Sequence, residues 1–379
     1  MLSEQVKTYI ADHSDEAFEL LKELAAIPAP SNHEEKRAEF IKAWLEKQGA
    51  KGVFIDEALN VVYPINCMED NPLVVAMAHQ DVVFPDTTPL PVTVADGKIM
   101  APGVGDDTAN LVALMMVMKY IAETKVAPLD GIGVLLVANT GEEGLGNLKG
   151  SRKICETYGP RIKEFVSFDG GSDFLTNKAV GSKRYKVTVE TEGGHSYGAF
   201  GNRNAIAYLA SMINTFYSMK VPTTGKTTYN VGLISGGTSV NTIAQKAEML
   251  YEYRSDEAVD LAVMETQFNA VIEAYRAMLI KVSVETVGER PCSGAVEEAK
   301  LAALTEKAQA ILQEYAGKVA EPHPGSTDCN IPLSLGIPSV CLGCYIGGGT
   351  HTYEEWLLVD SLKPGYNIAF SMVLSHFKG

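Results

Sequence analysis

Residues 73–79 read Leu-Val-Val-Ala-Met-Ala-His, an apolar run that ends on a histidine. A short run rich in valine and leucine, without alternating polar side chains, is typical of a parallel strand that is buried on both faces. Open parallel sheets collect their ligands at the carboxyl ends of the strands. The stretch therefore predicts a buried parallel strand with a functional histidine, His79, at its end.

Three further apolar runs lead to residues that bind metals or transfer protons. One run leads to Glu142 and Glu143, one to Asp169, and a third, 337–343, continues through a glycine-rich turn to His351. Several carboxylates and two imidazoles that converge on one sheet edge repel one another unless a cation lies among them. The pattern predicts a metal site at that edge.

Asp106 and Asp107 precede an apolar segment, 108–124, that is predicted to be helical. An aspartate shared by two metals needs a tight backbone beside it, which Gly103 and Gly105 supply. The second aspartate of the pair, Asp107, is expected to cap the helix and to complement its dipole.

The pair Glu142-Glu143 predicts two different functions for adjacent side chains. In a turn the two side chains diverge, so one can bind metal while the other holds water and acts as a general base. Near the first strand, Asp81 follows His79 by two residues, and its carboxylate can hold the second imidazole N–H and fix the tautomer.

Composition limits the classes of function. The chain has 379 residues, which favours two domains, and its 46% hydrophobic content excludes disorder as the main state. With 32 Lys and Arg against 47 Asp and Glu and a net charge of −15, neither nucleic acid nor a membrane surface is an expected partner. The N-terminus shows no signal peptide and no apolar run approaches the ~20 residues of a membrane span. Six scattered cysteines do not form a disulfide framework, so a cytoplasmic location is expected.

The order of elements predicts an α/β domain interrupted by an inserted domain. Strands and helices alternate over 1–182 and resume over 290–379, whereas 183–289 follows the order β-α-β-β-α-β of a ferredoxin-like α+β domain. Within the first segment, Ser31 and Glu34 have the spacing of a capping box at the start of a helix.

In this order the motifs closely resemble those of the M20 metallopeptidase family, which includes peptidase T, aminoacylases, carboxypeptidase G and succinyl-diaminopimelate desuccinylase. The resemblance covers nearly the whole chain. Its motifs are His79-Gln-Asp81, Gly105-Asp106-Asp107, Gly141-Glu142-Glu143-Gly144, Asp169-Gly170, Gly194-His195-Ser196 and Thr350-His351. It implies a zinc-peptidase-type α/β catalytic domain with a mainly parallel sheet, and an inserted domain for dimerisation that also serves as a lid.

The resemblance further implies a pair of zinc ions, for which cobalt or manganese can substitute. His79 and Asp169 would hold one ion, Glu143 and His351 the other, and Asp106 would bridge them. The peptide bond after Asp106 would be cis.

The resemblance also implies the catalytic and substrate-binding residues. Glu142 would take a proton from the water that becomes the metal-bridging hydroxide and pass it to the leaving amine, while Asp81 would orient the histidine before it. His195 would reach across a homodimer to stabilise the oxyanion. Asn241 and Arg254 would bind substrate, the arginine through a bidentate fork to a carboxylate. Without the resemblance, His195 would be interpreted as a loop histidine and Arg254 as a solvated residue on an edge strand. The roles given to both residues therefore depend on the resemblance.

The function expected from these observations is that of a cytoplasmic, dimeric, di-zinc aminopeptidase that cleaves di- and tripeptides. An aspartate at position 169 tends to accompany aminopeptidases in the family, and a glutamate tends to accompany carboxypeptidases and deacylases. One alternative is an N-acyl-amino-acid amidohydrolase or carboxypeptidase of the same family. Another is a non-catalytic metal-binding or peptide-binding module, which would be expected to lack a ligand or the base.

Five other positions bear on these hypotheses. Thr108 stands where many family members have lysine, and the consequence is open. Asp328, in Ser-Thr-Asp, resembles a family motif near the site, with a structural and a functional role both open. Cys341 and Cys344 have no second pair and are expected to be structural. His323, next to two prolines, is left unassigned.

Overall fold

The structure is a computed structural model that describes residues 2–378. The chain divides into two compact units: the first runs to Ala179 and resumes at Gly294, and the second is Val180–Ser293. The insertion predicted at 183–289 lies inside the second unit. No helix in the described part of the chain is long and apolar enough to cross a membrane.

The helices are α1 (Glu4–Asp12), α2 (Ser14–Ala26), α3 (Glu35–Lys47), α4 (Asn110–Thr124), α5 (Lys149–Tyr158), α6 (Ala205–Ser218), α7 (Ala258–Ala277), α8 (Glu298–Ala316), α9 (Asn330–Ser334) and α10 (Leu362–Leu374). The strands are β1 (Phe54–Ile55), β2 (Val61–Ile65), β3 (Leu73–His79), β4 (Thr93–Ala95), β5 (Lys98–Met100), β6 (Gly133–Asn139), β7 (Ile162–Phe168), β8 (Leu175–Thr176), β9 (Lys178–Ala179), β10 (Gly181–Glu190), β11 (Gly194–His195), β12 (Thr227–Gly236), β13 (Thr242–Ile243), β14 (Lys246–Ser255), β15 (Lys281–Arg290), β16 (Pro324–Gly325), β17 (Ser339–Leu342), β18 (Gly347–Gly348) and β19 (Trp356–Leu358).

The first unit is built on a seven-stranded sheet with the order β1-β2-β6-β3-β7-β17-β8. Its centre, β6-β3-β7-β17, is parallel, and every residue of β3 and β6 is buried, as their uninterrupted apolar runs predict. Helix α4 is buried from Asn110 to Ala122, so it belongs to the core of this unit. The predicted α/β class with a mainly parallel sheet is confirmed.

Strand register brings the ends of three parallel strands to one edge of this sheet. His79, the last residue of β3, pairs with Asn139, the last residue of β6, and Ala78 pairs with Phe168, the last residue of β7. Residues that follow these strands therefore start from adjacent positions.

The second unit is a four-stranded antiparallel sheet, β12-β14-β10-β15, with helices α6 and α7. The predicted β-α-β-β-α-β order is confirmed. Its core joins apolar residues of both helices to the sheet, and the stacked rings of Phe216, Tyr251 and Phe268 lie within it. This core is separate from that of the first unit.

The predicted capping box is wrong. Helix α3 begins at Glu35, and no side chain caps its N-terminus. The Ser31 hydroxyl instead donates to Asp81 Oδ2 at 2.7 Å. A buried carboxylate binds a hydroxyl more strongly than a neutral helix N–H does, because the bond is charge-assisted.

Candidate metal centre

Most of the predicted ligands lie at or just after the carboxyl ends of the central strands. His79 ends β3 and Asp169 directly follows β7, while Glu143 lies in the turn four residues after β6. His351 comes from a different place, the turn between β18 and β19 of a small antiparallel sheet. The strand pattern therefore accounts for three of the four positions, and the fold brings the fourth to the same cluster.

Asp106 lies between the two histidines. Its Oδ1 is 3.1 Å from His79 Nε2, and its Oδ2 is 3.2 Å from His351 Nε2. The same His351 Nε2 is 3.0 Å from Glu143 Oε1. The Asp106–Asp107 peptide bond is cis, as the family resemblance implied. The two oxygens of one carboxylate thus face two different sets of ligand atoms.

Three overlapping groups of side chains bring their ligand atoms within 4.8 Å of one another. They are His79 with Asp106, Asp107 and Asp169; His79 with Glu142 and Glu143; and Asp106 with Glu143 and His351. Every residue predicted as a ligand belongs to at least one group. The sets share Asp106 and His79, so they form one continuous cluster.

The pKa values of the clustered side chains show that the cluster lacks the positive charge that would balance its carboxylates. Burial raises the pKa of Glu143 to about 8 and that of Asp169 to about 7. Hydrogen bonds to Asp106 and Glu143 raise the pKa of His351 to about 10. The protonated imidazole then supplies the positive charge that a divalent cation would bring to the same carboxylates. The donor set of imidazole nitrogens and carboxylate oxygens fits zinc, and the residues therefore fit a metal centre.

The second nitrogen of His79 is held by Asp81. His79 Nδ1 is 3.0 Å from the backbone oxygen of Asp81 and 3.5 Å from its carboxylate Oδ1. Because the closer contact is to a carbonyl, which only accepts, Nδ1 carries a proton, and Nε2 is the nitrogen that faces the cluster and could bind a metal. The His79 ring was expected to be oriented by the Asp81 carboxylate, but it is oriented mainly by the Asp81 backbone oxygen.

The Asp81 carboxylate instead holds the turn that carries the two glutamates. Its Oδ1 accepts the backbone N–H of Glu142 at 3.1 Å, and its Oδ2 accepts that of Glu143 at 3.0 Å. The Ser31 hydroxyl bonds the same Oδ2 and also the backbone oxygen of Glu143, at 3.2 Å. One buried carboxylate and one hydroxyl thus fix the general-base candidate relative to the ligand beside it.

Asp107 does not cap a helix, which corrects the prediction. Helix α4 begins at Asn110 without a side-chain cap, and the Asp107 carboxylate accepts the backbone N–H of His79 at 3.0 Å and the Asn110 amide at 2.6 Å. The end of β3 needs a partner for its N–H in a buried environment, and Asp107 is that partner. With both of its oxygens engaged, Asp107 supports His79, while the oxygens of Asp106 face the two histidines.

Thr108 contacts Arg37, a buried residue that the sequence motifs did not indicate. Its hydroxyl donates to the backbone oxygen of Gly103 at 2.6 Å and accepts Arg37 Nη1 at 3.3 Å. Arg37 is fully buried and also donates to the backbone oxygens of Ile27 and Gln80. A buried cation thus lies next to the strand end between His79 and Asp81.

In the second unit His195 and Asn241 lie close together. His195 pairs with Thr242 across β11 and β13, and the backbone oxygen of Asn241 accepts the N–H of Ser196 at 2.9 Å. His195 Nδ1 accepts the backbone N–H groups of Tyr197 and Gly198 at 3.3 and 3.2 Å. In the neutral ring the proton is therefore on Nε2, which makes that nitrogen a hydrogen-bond donor.

Arg254 lies on the four-stranded sheet, near the end of β14 that is farther along the chain from β11 and β13. It lies on β14, and its Nε and Nη2 bond the two carboxylate oxygens of Glu252 at 3.0 and 3.1 Å. The distance along β14 from Lys246, next to the Asn241 loop, is roughly 27 Å at ~3.4 Å per residue. A substrate carboxylate would have to compete with Glu252 for the guanidinium fork.

The remaining candidates have structural partners. Asp328 is buried beside Asn139, whose amide donates to it at 2.6 Å, and burial raises its pKa well above the usual value. His323 Nδ1 bonds the backbone oxygen of Leu175 at 2.8 Å. Cys341 and Cys344 are buried free thiols, in accordance with a structural role.

A parallel α/β sheet whose strand ends hold imidazoles and carboxylates around a place for cations is the arrangement of metal-dependent hydrolases. The sequence matches Peptidase family M20/M25/M40 over residues 75–375, and the chain belongs to this family.

Solved structures share this fold over almost the whole chain. A tripeptidase from Staphylococcus aureus subsp. aureus Mu50 is 22% identical with a TM-score of 0.76, covering 95% of this chain and 97% of that one. Aminopeptidase PepT from Bacillus cereus ATCC 10987 is 19% identical with a TM-score of 0.69, covering 95% and 98%. The YxeP protein of Bacillus subtilis, described as a dinuclear metal binding peptidase from the M20 family, is 16% identical with a TM-score of 0.61, covering 96% and 99%. At these identities the similarity concerns the fold.

Proposed function

We propose that this protein is a cytoplasmic di-zinc aminopeptidase that hydrolyses di- and tripeptides. The observation that carries the proposal is the position of Asp106, with one carboxylate oxygen toward His79 and the other toward His351. One ion would be held by His79 and Asp169 and the other by Glu143 and His351, with Asp106 between them. The six free cysteines accord with a reducing compartment.

The catalytic chemistry is divided between the ions and the side chains. Bound ions would polarise the substrate carbonyl and lower the pKa of water. Glu142, whose backbone is fixed by Asp81, accepts the proton of the attacking water and delivers it to the leaving amine. His195, with the proton on Nε2, donates to the oxygen that becomes negatively charged.

A cavity beside Asp106 supports cleavage at the amino end of the peptide. Its volume is about 310 Å³, and its lining includes Asp106, Phe174, Tyr345 and the exposed Asp173. A carboxylate next to the cleavage site suits the α-ammonium group of an unblocked first residue, through a charge-assisted hydrogen bond. The wall of the cavity also carries Lys318, which would repel an ammonium group. The ammonium is therefore expected to bind at Asp173.

Two features of the second unit support a homodimer. His195 and Asn241 lie on or beside the β11–β13 pair, which adjoins the Lys246 end of β14, and Arg254 lies near the other end of β14, whereas a tripeptide spans only ~10 Å. If all three contact one substrate, they come from two copies of the chain. The edge strand β12 also exposes Leu233 and Ile234, with half of each side chain accessible, which suits pairing with a second copy.

The test is hydrolysis of one matched panel by the zinc-loaded or cobalt-loaded protein. The panel contains tripeptides with a free amino terminus, the same peptides N-acetylated, and simple N-acetyl amino acids. We expect cleavage only where the amine is free, and Asp173→Asn should raise KM for these peptides more than it lowers kcat. Activity confined to acylated substrates would show a deacylase and reject the aminopeptidase assignment.

A further inference from the structure

Glu355 makes an unusual set of contacts for a residue outside the ligand cluster. Its Oε1 accepts the backbone N–H groups of Gly105 and Asp106, both at 2.8 Å, and its Oε2 accepts that of Gly103 at 3.1 Å. Its backbone oxygen accepts the N–H of Ala101 at 3.1 Å. The side chain is 1% exposed. A single buried residue therefore binds most of the backbone donors in the turn that carries Asp106.

The backbone of this turn is not a regular α-helix. Asp106 has φ −99° and ψ 94°, outside the helical region, and α4 begins only at Asn110. The turn itself requires both glycines, since a Cβ at Gly105 would lie 2.6 Å from the Tyr345 ring and Gly103 has a φ of 71°. Buried N–H groups without an acceptor are costly, so the turn depends on the Glu355 carboxylate.

Glu355 belongs to the same turn as His351. The N–H of Glu355 bonds the backbone oxygen of Thr352, and the N–H of Thr352 bonds that of Gly349. His351 Nε2 is in turn 3.2 Å from Asp106 Oδ2. The two ligands are thus connected twice, through their side chains at the cluster and through Glu355 behind it.

We propose that Glu355 is a positioning residue that sets Asp106 relative to His351 and so shapes the part of the centre that those two residues share with Glu143. The proposal rests on the metal-dependent function proposed above. A carboxylate is required because both of its oxygens accept hydrogen bonds. In Glu355→Gln the amide NH₂ would face one of the backbone donors, while in Glu355→Asp the group would be one methylene too short to reach the turn.

The test measures zinc binding by competition with a chromophoric chelator, together with kcat and KM for an unblocked tripeptide. Supporting outcomes in Glu355→Gln are zinc affinity weakened by about 10–100-fold and a lower kcat with KM nearly unchanged. The matched control is Glu354→Gln, which alters the exposed neighbouring glutamate and should behave as the parent protein.

Amide hydrogen exchange separates positioning from general stability. Exchange in Glu355→Gln should accelerate in the segment 101–109 and stay unchanged in β3 and β6; a uniform acceleration over the whole first unit would overturn the proposal in favour of a structural role. Parent-like zinc affinity in this variant would also overturn it. If Glu355→Gln does not fold, Glu355→Asp is judged by the same criteria. Failure of the parent protein to bind zinc would instead reject the proposed function.

Discussion

At the scale of single residues, the centre depends on how one carboxylate is shared. Asp106 faces His79 with one oxygen and His351 with the other, at 3.1 and 3.2 Å. The backbone N–H of Glu142 is held by the Asp81 carboxylate. In the proposed function, metal binding and proton transfer belong to different side chains, which can be altered separately.

Replacement of the base should separate these two functions. In Glu142→Gln we expect kcat to fall roughly 10²–10⁴-fold, because proton transfer is lost while the ligands stay in place. Steady-state kinetics and metal analysis measure both properties. Glu156→Gln, on the exposed face of α5, is the matched control. Residual activity near the parent level would show that another group is the base.

Metal binding should release protons. In the metal-free protein, burial raises the pKa of Glu143 and of Asp169, and hydrogen bonds to Asp106 and Glu143 raise the pKa of His351, so the cluster as a whole holds protons at neutral pH. Metals bind the deprotonated forms, so zinc affinity should weaken as the pH falls from 8 to 6. Calorimetric titration in buffers of different ionisation enthalpy measures the release. Heats that do not depend on the buffer would contradict this expectation.

At the scale of elements, Asp81 joins the ends of two strands, β3 and β6. This residue follows β3, and its carboxylate binds the turn after β6 through the N–H groups of Glu142 and Glu143. Ser31, in the loop before α3, adds a third hydrogen bond. The mutual position of base and ligand thus depends on contacts between separate elements.

Weakening this connection should affect catalysis more than metal binding. Asp81→Asn keeps one acceptor oxygen but places an NH₂ group against a backbone donor, so kcat should fall at least tenfold, at about 1.4 kcal/mol per factor of ten. Ser31→Ala removes one of several hydrogen bonds to Asp81 and should lower kcat only a few-fold. The readout is kcat at saturating metal. An unchanged kcat in Asp81→Asn would show that the turn holds its position without this carboxylate.

Local patterns predicted the elements well but missed the residues that support the centre. The apolar runs of β3 and β6 and the residues after them could be identified because side-chain hydrophobicity and strand periodicity are local properties. Glu355 acts on a turn 250 residues earlier, and Arg37 becomes buried only when the chain folds. The spacing of Ser31 and Glu34 even suggested a capping box, since the stronger acceptor, Asp81, is 50 residues away in sequence.

At the scale of the whole molecule, the predicted metal ligands and the residues predicted to bind substrate lie on different units. The predicted ligands and the predicted base belong to the first unit, and His195, Asn241 and Arg254 belong to the second. Within the second unit, the sheet separates the His195 end from Arg254 by more than the length of a tripeptide. The proposed function therefore implies that an active site is completed by a second chain.

Mixing two inactive variants tests this implication. Glu142→Ala and His195→Ala should each be inactive, but dimers that contain one chain of each have one site with both residues intact. After subunit exchange we expect about a quarter of the parent activity. If His195 acts within its own chain, the mixture stays as inactive as its components. Size-exclusion chromatography with light scattering verifies that mixed dimers form.

The most direct test of the central claim, a two-metal hydrolytic centre between His79 and His351, is activity as a function of bound metal. The protein is stripped with a chelator and reloaded with zinc, and tripeptide hydrolysis is measured beside elemental analysis. We predict that activity disappears on stripping, returns with zinc, and saturates at two ions per chain, with His351→Ala reduced in both measures. Full hydrolysis by the metal-free protein would contradict the account.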